Sequence, residues 1–314
     1  MKHIFIINPN AGRGKGKKLI HIIEAIAKNL SLDYVIEVTT GPKDATVFAE
    51  WHIESARLAQ EVIRIYAVGG DGTANEVMNG MLDSNVEFAV LPGGTGNDFA
   101  RTITGDHKFS NHTLEQLIED TIQGVPCPIN SARINDRHFI NISSLGIDAI
   151  TNYNMNNTTK KLPWLPAKVA YVISALGTLL KDRNMDVEIT MDGIVTRQRI
   201  ILAAISNGRF YGGGIMPSPN AHPSDNILDV CMVAAISKLR VLSLLPKYIS
   251  GKHGNEKEVS FYKVTKIKIS SANTLIVNID GESALYNEVD IALDESMIPL
   301  IVPKWSPLTL YEGK

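Results

Sequence analysis

The sequence predicts an α/β domain built on a parallel sheet, followed by a mainly antiparallel β domain. Two observations carry that reading. Up to about residue 125, short apolar runs alternate with amphipathic segments of helical period; beyond it, apolar runs follow one another with little helix between them. A third observation concerns function. Three glycine-rich loops, "NPNAGRGKG" at 8–16, "GGDGT" at 69–73 and "PGGTGND" at 92–98, each follow a predicted strand of the first half. In an open parallel sheet, ligands gather beyond the carboxyl ends of the strands, so these loops can converge on one site.

The elements follow in order. "HIFIIN", "DYVIEVT", "VIRIYAV" and "EFAVL" read as strands. "GKKLIHIIEAIAKNL", "KDATVFAEWHIESA", "TANEVMNGMLD" and "NDFARTI" read as the helices between them, and "HTLEQLIEDTIQG" closes the first half. The second half gives "NSARINDRHFINISSLG", "DVEITMD", "RIILAAISN", "LDVCMVAA", "KIKISS", "LIVNIDG" and "VDIALD" as strands. Helix is expected there only over 167–181 and 238–250. The expected division is therefore 1–125, rejoined by a tail from about 300 to 314, and a β-sandwich over 126–299. The cleft between them is the default place for a site.

Composition narrows the class. Of 314 residues, 44% are hydrophobic and 20% charged, as in a folded soluble protein. A net charge of -2 gives no reason to expect nucleic acid as a partner. Two cysteines, Cys127 and Cys231, stand far apart in apolar surroundings, which fits a reducing compartment without disulfides. The opening "MKHIFIINPN" is too short an apolar run for a signal peptide, so a cytoplasmic protein is expected. The apolar stretch 162–180 contains two prolines and Lys168 and reads as a helix with one very apolar face, not a span. The eight histidines have no zinc-ligand spacing, and no G-x-S-x-G elbow appears.

The glycine loops then have to be explained. Three glycines around Asp71 either make a tight strand-to-helix turn or bare backbone N–H groups for a phosphate at a helix N-terminus. A carboxylate repels phosphate, so Asp71 suits the second reading only with a metal ion or a proton between them. The first loop lacks both GxxxxGK[ST] and GxGxxG, so neither a P-loop nor a dinucleotide fingerprint is present. Arg13, Lys15 and Lys17 either meet phosphates or form a solvated basic turn.

Taken together, "GGDGTANEVMNG" and "LPGGTGNDFARTI" closely resemble the diacylglycerol kinase catalytic domain. That domain is shared by soluble bacterial diacylglycerol kinases, YegS-like lipid kinases, and sphingosine and ceramide kinases. "INPNAG" resembles the family's opening motif with Ala11 in place of Ser, and "VTTGPKDA" its second-strand motif. "NGRFYGGGIMPSPNAHPSDNILDV" and "NIDGE" resemble its two C-terminal motifs, so the likeness spans nearly the whole chain. GGDGT alone also marks NAD kinases, which are one alternative; a catalytically weak lipid-binding regulatory protein is another.

The resemblance implies ATP and Mg²⁺ as cofactors and a diacylglycerol-like lipid at a membrane surface as substrate. The expected place is the cytoplasm, peripheral at the inner face of the membrane, with a homodimer left open. It assigns Asn8, Thr39, Gly69, Gly70, Asp71, Gly72, Thr73, Glu76, Gly93, Gly94, Thr95, Asn97 and Asp98 to the nucleotide and its ion. Thr73, Thr95, Asn97 and Asp98 have helix capping as their plain alternative. Asp71 holds the ion, or takes the base role that sphingosine kinases give its counterpart. By residue pattern alone Asp280-Gly281 is a β-turn; by resemblance Asp280 or Glu282 is the base toward the lipid hydroxyl. A separate structural Mg²⁺ would lie on the Asp225 side chain and the carbonyls of His222 and Ile227, with Asn226 where the family usually has Gly. From Lys238 to Lys268 there are eight Lys or Arg and two acids, a pattern suited either to an anionic membrane or to a solvated face.

Overall fold

A computed structural model describes residues 1–105, 111–151, 153–154, 169, 173–174, 177–178 and 184–310. Most of the apolar stretch 162–180 lies outside the described residues. The chain divides into two compact units, Met1–Asn130 with Ser296–Lys314, and Ser131–Glu295.

The first unit is a six-stranded sheet in the order β2-β1-β3-β4-β15-β5. Its strands are β1 (Lys2–Ile7), β2 (Asp33–Val38), β3 (Ile63–Gly69), β4 (Glu87–Pro92), β5 (Val125–Ile129) and β15 (Ile298–Val302). β1 to β4 are mutually parallel and β15 joins β4 in parallel. β1 and β3 are buried almost throughout, because α1 (Ala11–Asn29), α2 (Asp44–Ala59), α3 (Asp71–Asn79), α4 (Asp98–Thr104) and α5 (Leu114–Ile122) pack on the sheet. Phe5, Ile7, Leu19, Ile23, Tyr66, Val68 and Leu91 form one core. A capping box closes the start of α5, with Thr113 accepting from the Gln116 N–H and the Gln116 side chain accepting from the Thr113 N–H.

The unit boundary falls five residues later than the composition change at 125. β5 pairs antiparallel with β15 and so belongs to the first sheet. Pro126 and Pro128 hide this strand from a periodicity reading, since proline is confined to sheet edges, and β5 is the edge. The C-terminal tail is tied to the same unit. Trp305 Nε1 donates to Asp120 at 2.7 Å, the Ser306 hydroxyl donates to the Ile103 carbonyl, and Leu308 is buried.

The second unit is mainly antiparallel: β6 (Ala132–Ile134), β7 (Arg137–Phe139), β8 (Ile142–Gly146), β9 (Met185–Met191), β10 (Ile194–Ser206), β11 (Leu228–Ala234), β12 (Val259–Val264), β13 (Lys266–Ile279) and β14 (Glu282–Leu293). β8 and β9 each pair with both β10 and β13, so the strands close on themselves around a first core. Alternation along β10 and β11 sends Ala203, Ile205, Val230 and Met232 into that core. Leu202, Ala204, Cys231 and Val233 face the other way, into a second core covered by α6 (Lys238–Ile249). Among the described residues no helix is long and apolar enough to cross a membrane.

Candidate active site

The three glycine loops of the first unit meet. A Cβ at Gly12 would lie 2.3 Å from the Gly93 carbonyl oxygen, and one at Gly94 would lie 2.4 Å from the Gly70 Cα. Gly93 and Gly94 both donate their N–H groups to the Gly69 carbonyl, at 2.7 and 3.0 Å. These glycines are therefore required by backbone meeting backbone, and the N–H groups of Gly93 and Gly94 are already spoken for. Gly72 is different, with no atom within 4 Å of where its Cβ would stand. It lies in the first turn of α3, where N–H groups have no intrahelical acceptor. The first loop turns through Gly12, Arg13 and Gly14, all at positive φ, before α1 becomes regular.

The side chains around this junction are ordered by it. Asn8 Nδ2 donates to Thr73 Oγ1 at 3.3 Å, joining the first loop to the second. Thr73 is the third residue of α3 and Thr95 lies two residues ahead of the Asn97 cap position, so neither caps a helix. Asn97 stands at the cap position of α4 in a left-handed conformation, but its amide exchanges two hydrogen bonds with the Gly94 backbone, at 2.8 and 2.9 Å. Its task is to hold the 92–98 loop. Thr39 is buried and donates its N–H to the Ile7 carbonyl; Glu76 is half-buried on α3.

Asp71 and Asp98 point to one place. A Cβ at Gly96 would be 3.1 Å from Asp71 Oδ2 and 3.3 Å from Asp98 Oδ2. Asp98 is only 5% exposed, and Asp71 Oδ1 accepts the Phe99 N–H at 2.9 Å. Burial pushes the Asp71 carboxyl above the ordinary carboxylate range, partly offset by backbone N–H donors and by the nearby charge of Arg101. Two such carboxylates suit a hard divalent cation, whose charge would relieve both burial and mutual repulsion. Arg101 is the residue that motif reading overlooks. Its Nε donates to the Gly96 carbonyl at 3.3 Å and lies 3.9 Å from Asp98 Oδ1, and its one sequence signal is the i,i+3 spacing from Asp98.

The motifs of the second unit part company with one another. Asp280 and Gly281, at φ 44° and 95°, form the two-residue turn between β13 and β14. The Asp280 carboxylate accepts the N–H groups of Ile140 (2.9 Å), Asn141 (3.1 Å) and Ile142 (2.9 Å). Asn207 Nδ2 donates to the Ile140 carbonyl at 2.6 Å and Asn141 Nδ2 to the Phe210 carbonyl at 2.7 Å. One buried aspartate thus latches the loops 140–142 and 207–210 to the hairpin. Glu282, two residues on, has a 59% exposed side chain paired with Arg137 Nη2 at 2.5 Å.

The 222–227 loop is compact. Asp225 Oδ1 accepts the Ile227 N–H at 3.1 Å, and the His222 carbonyl accepts the Asp225 N–H at 3.4 Å. Asn226 adopts φ 59°, so it fills the glycine-like position without breaking the turn. A carboxylate with two carbonyls is an oxygen set of the hard-cation type. Asp229 lies within β11, is 5% exposed, and is pushed up to about 6, chiefly by burial.

Comparison with known proteins is decisive for the family. Residues 2–129 match the diacylglycerol kinase catalytic domain, and residues 141–300 match the YegS C-terminal NAD kinase beta sandwich-like domain. The chain belongs to the YegS-like family of diacylglycerol and lipid kinases. This lipid kinase is 28% identical to a diacylglycerol kinase of Bacillus subtilis (strain 168) over 281 residues, covering 88% of each chain. It is 26% identical over 307 residues to a diacylglycerol kinase of Mycobacterium tuberculosis (strain ATCC 25618 / H37Rv), covering 95% of this chain and 94% of that one. A crystal structure of a protein provisionally described as a diacylglycerol kinase, from Bacillus anthracis str. Sterne, superposes with a TM-score of 0.73 at 26% identity. That match covers 96% of this kinase and 97% of the other chain.

Proposed function

We propose that the protein transfers the γ-phosphate of ATP to a hydroxyl of a diacylglycerol-like lipid at a membrane surface. The observation that carries the reading is the convergence of Asp71 and Asp98 at Gly96, within three interlocked glycine loops of a lipid-kinase fold. Phosphoryl transfer asks a protein mainly for positioning and charge stabilisation, and this junction is built for both. Asp71 and Asp98 would hold Mg²⁺, which when bound would neutralise phosphate oxygens. Gly72 and Thr73 would offer N–H groups at the start of α3 to the same phosphates. Asn8 and Asn97 keep the loops in register, and Arg101 keeps a positive charge beside the acidic pair.

In the second unit, Glu282 is our choice of base for the lipid hydroxyl. Asp280 already accepts three backbone N–H groups, whereas Glu282 is exposed and holds one partner, Arg137, that a substrate can displace. Asp280 then serves by fixing the backbone around Glu282. His222, Asp225 and Ile227 would carry a second, structural cation that steadies the loop ahead of β11.

The test is transfer from labelled ATP with Mg²⁺ to diacylglycerol, monoacylglycerol, sphingosine or phosphatidylglycerol in mixed micelles, with NAD as a soluble acceptor. Label on a glycerolipid, lost in Asp71→Asn, supports the reading. Label on NAD alone contradicts it.

A further inference from the structure

Helix α6 is apolar on two sides. Its inner side, Val241, Leu244 and Tyr248, is buried against β10 and β11 in the second core. Its outer side carries Leu239, 81% exposed, and Leu242, 42% exposed, three residues apart on one ridge, with exposed Pro246 continuing it. An amphipathic helix needs only its inner stripe to be apolar, so the outer ridge is unexplained by folding.

The charges that the helix and the segment after it carry are basic. No acid occurs between Lys238 and Asn255, while Lys238, Lys247 and Lys252 are exposed there. The two acids that follow are drawn to the flank: Glu256 and Glu258 bind Arg240 Nη2 at 2.5 and 2.8 Å, and Glu256 also binds Lys247. Ile194 and Val195, also exposed in this unit, adjoin Asp192 in a hairpin. Beneath α6 lies a small apolar cavity of about 50 Å³ walled by Ile147, Leu202, Val233 and Leu244. Hydrocarbon is thus the medium that matches the outer ridge, and the exposed Lys238 and Lys252 beside it match anionic headgroups.

We infer that the outer face of α6 docks on an anionic bilayer, with Leu239 and Leu242 entering the headgroup–acyl boundary and Lys238 and Lys252 facing anionic lipid. The inference rests on the lipid-kinase reading and names the surface that brings the enzyme to its substrate. Short interfacial helices with leucines on one face and lysines beside them bind in this way, strengthened by anionic lipid and weakened by salt.

The experiment is flotation of the full chain with phosphatidylcholine vesicles prepared with and without phosphatidylglycerol. Wild type is expected to float with the anionic vesicles, and Leu239→Ser/Leu242→Ser to lose roughly tenfold in binding. Lys238→Glu/Lys252→Glu is expected to lose the preference for phosphatidylglycerol. Transfer to a water-soluble short-chain diacylglycerol is expected to be unchanged in both variants, since neither touches the nucleotide loops or Glu282. Wild type that floats with neither vesicle, variants that float like wild type, or a leucine ridge that mediates self-association without lipid would each overturn the inference. Failure of short-chain transfer in the wild type, with binding as expected, would instead count against the kinase reading alone.

Discussion

The dipeptide Asp-Gly stands in a candidate-site motif of each unit, at 71–72 and at 280–281, and these two copies do opposite things. Asp280 sits at positive φ in a hairpin turn, and its two oxygens are consumed by three backbone N–H groups. Asp71 opens a helix, and one of its oxygens is turned toward Asp98 at the edge of a glycine junction. In the first unit the fold constrains the glycines and leaves the carboxylate for chemistry. In the second the fold takes the carboxylate, and Glu282 is the carboxylate we propose for the chemistry. An aspartate beside a glycine is thus read correctly only when the destination of its oxygens is known.

Mutations can sharpen or break that contrast. Asp71→Asn keeps an acceptor for the Phe99 N–H but removes the charge, and turnover is expected to fall about 10²–10³-fold. The protein should remain folded, with Tm near or above that of wild type. Asp280→Ala should show the reverse order of effects. It leaves three backbone N–H groups without their acceptor, at a cost of about 3 kcal/mol or more, read as a lower denaturation midpoint. Next comes a pair of glycines. Gly94→Ala drives a methyl into the Gly70 backbone and should cost about 1–3 kcal/mol of stability. Gly72→Ala has open space and a helical position, so stability should hold or rise by about 0.5 kcal/mol, and any loss should appear in ATP affinity.

The smallest expected effect is a pH dependence. Burial raises Asp229 from 3.8 to about 6, so between those values the folded state holds a proton that the unfolded state has released. Stability from this group is therefore present below pH 3.8 and lost as pH rises through about 6. Asp229→Asn should flatten that part of a stability profile measured without divalent cations. A profile unchanged by the substitution would mean that Asp229 is solvated.

Much of the fold was legible because its signals are local. The parallel half announces itself by alternation, and the returning tail by the apolar run "PLIVP". β5 escaped because its prolines speak against a strand and only its edge position permits them. β12 escaped because "VSFYKV" does not alternate and its pairing with β11 is set at long range. The site divides in the same way. Which residues surround the glycine loops follows from the motifs. Which glycines serve packing and which stand open does not, because that depends on what lies beyond each missing Cβ. Asp280 and Glu282 are equivalent two-apart carboxylates in sequence, and only their hydrogen-bond partners distinguish them.

We assign the proton to Glu282 and the backbone to Asp280. The most direct measurement is turnover per folded molecule for Glu282→Gln and Asp280→Asn, with Tm followed on the same samples and the micellar acceptor that wild type uses. Glu282→Gln is expected to lose about 10²-fold or more in turnover at unchanged Tm. Asp280→Asn is expected to melt several degrees lower while its folded fraction retains most of its turnover. Full activity in Glu282→Gln, with a silent but thermally stable Asp280→Asn, would overturn this assignment.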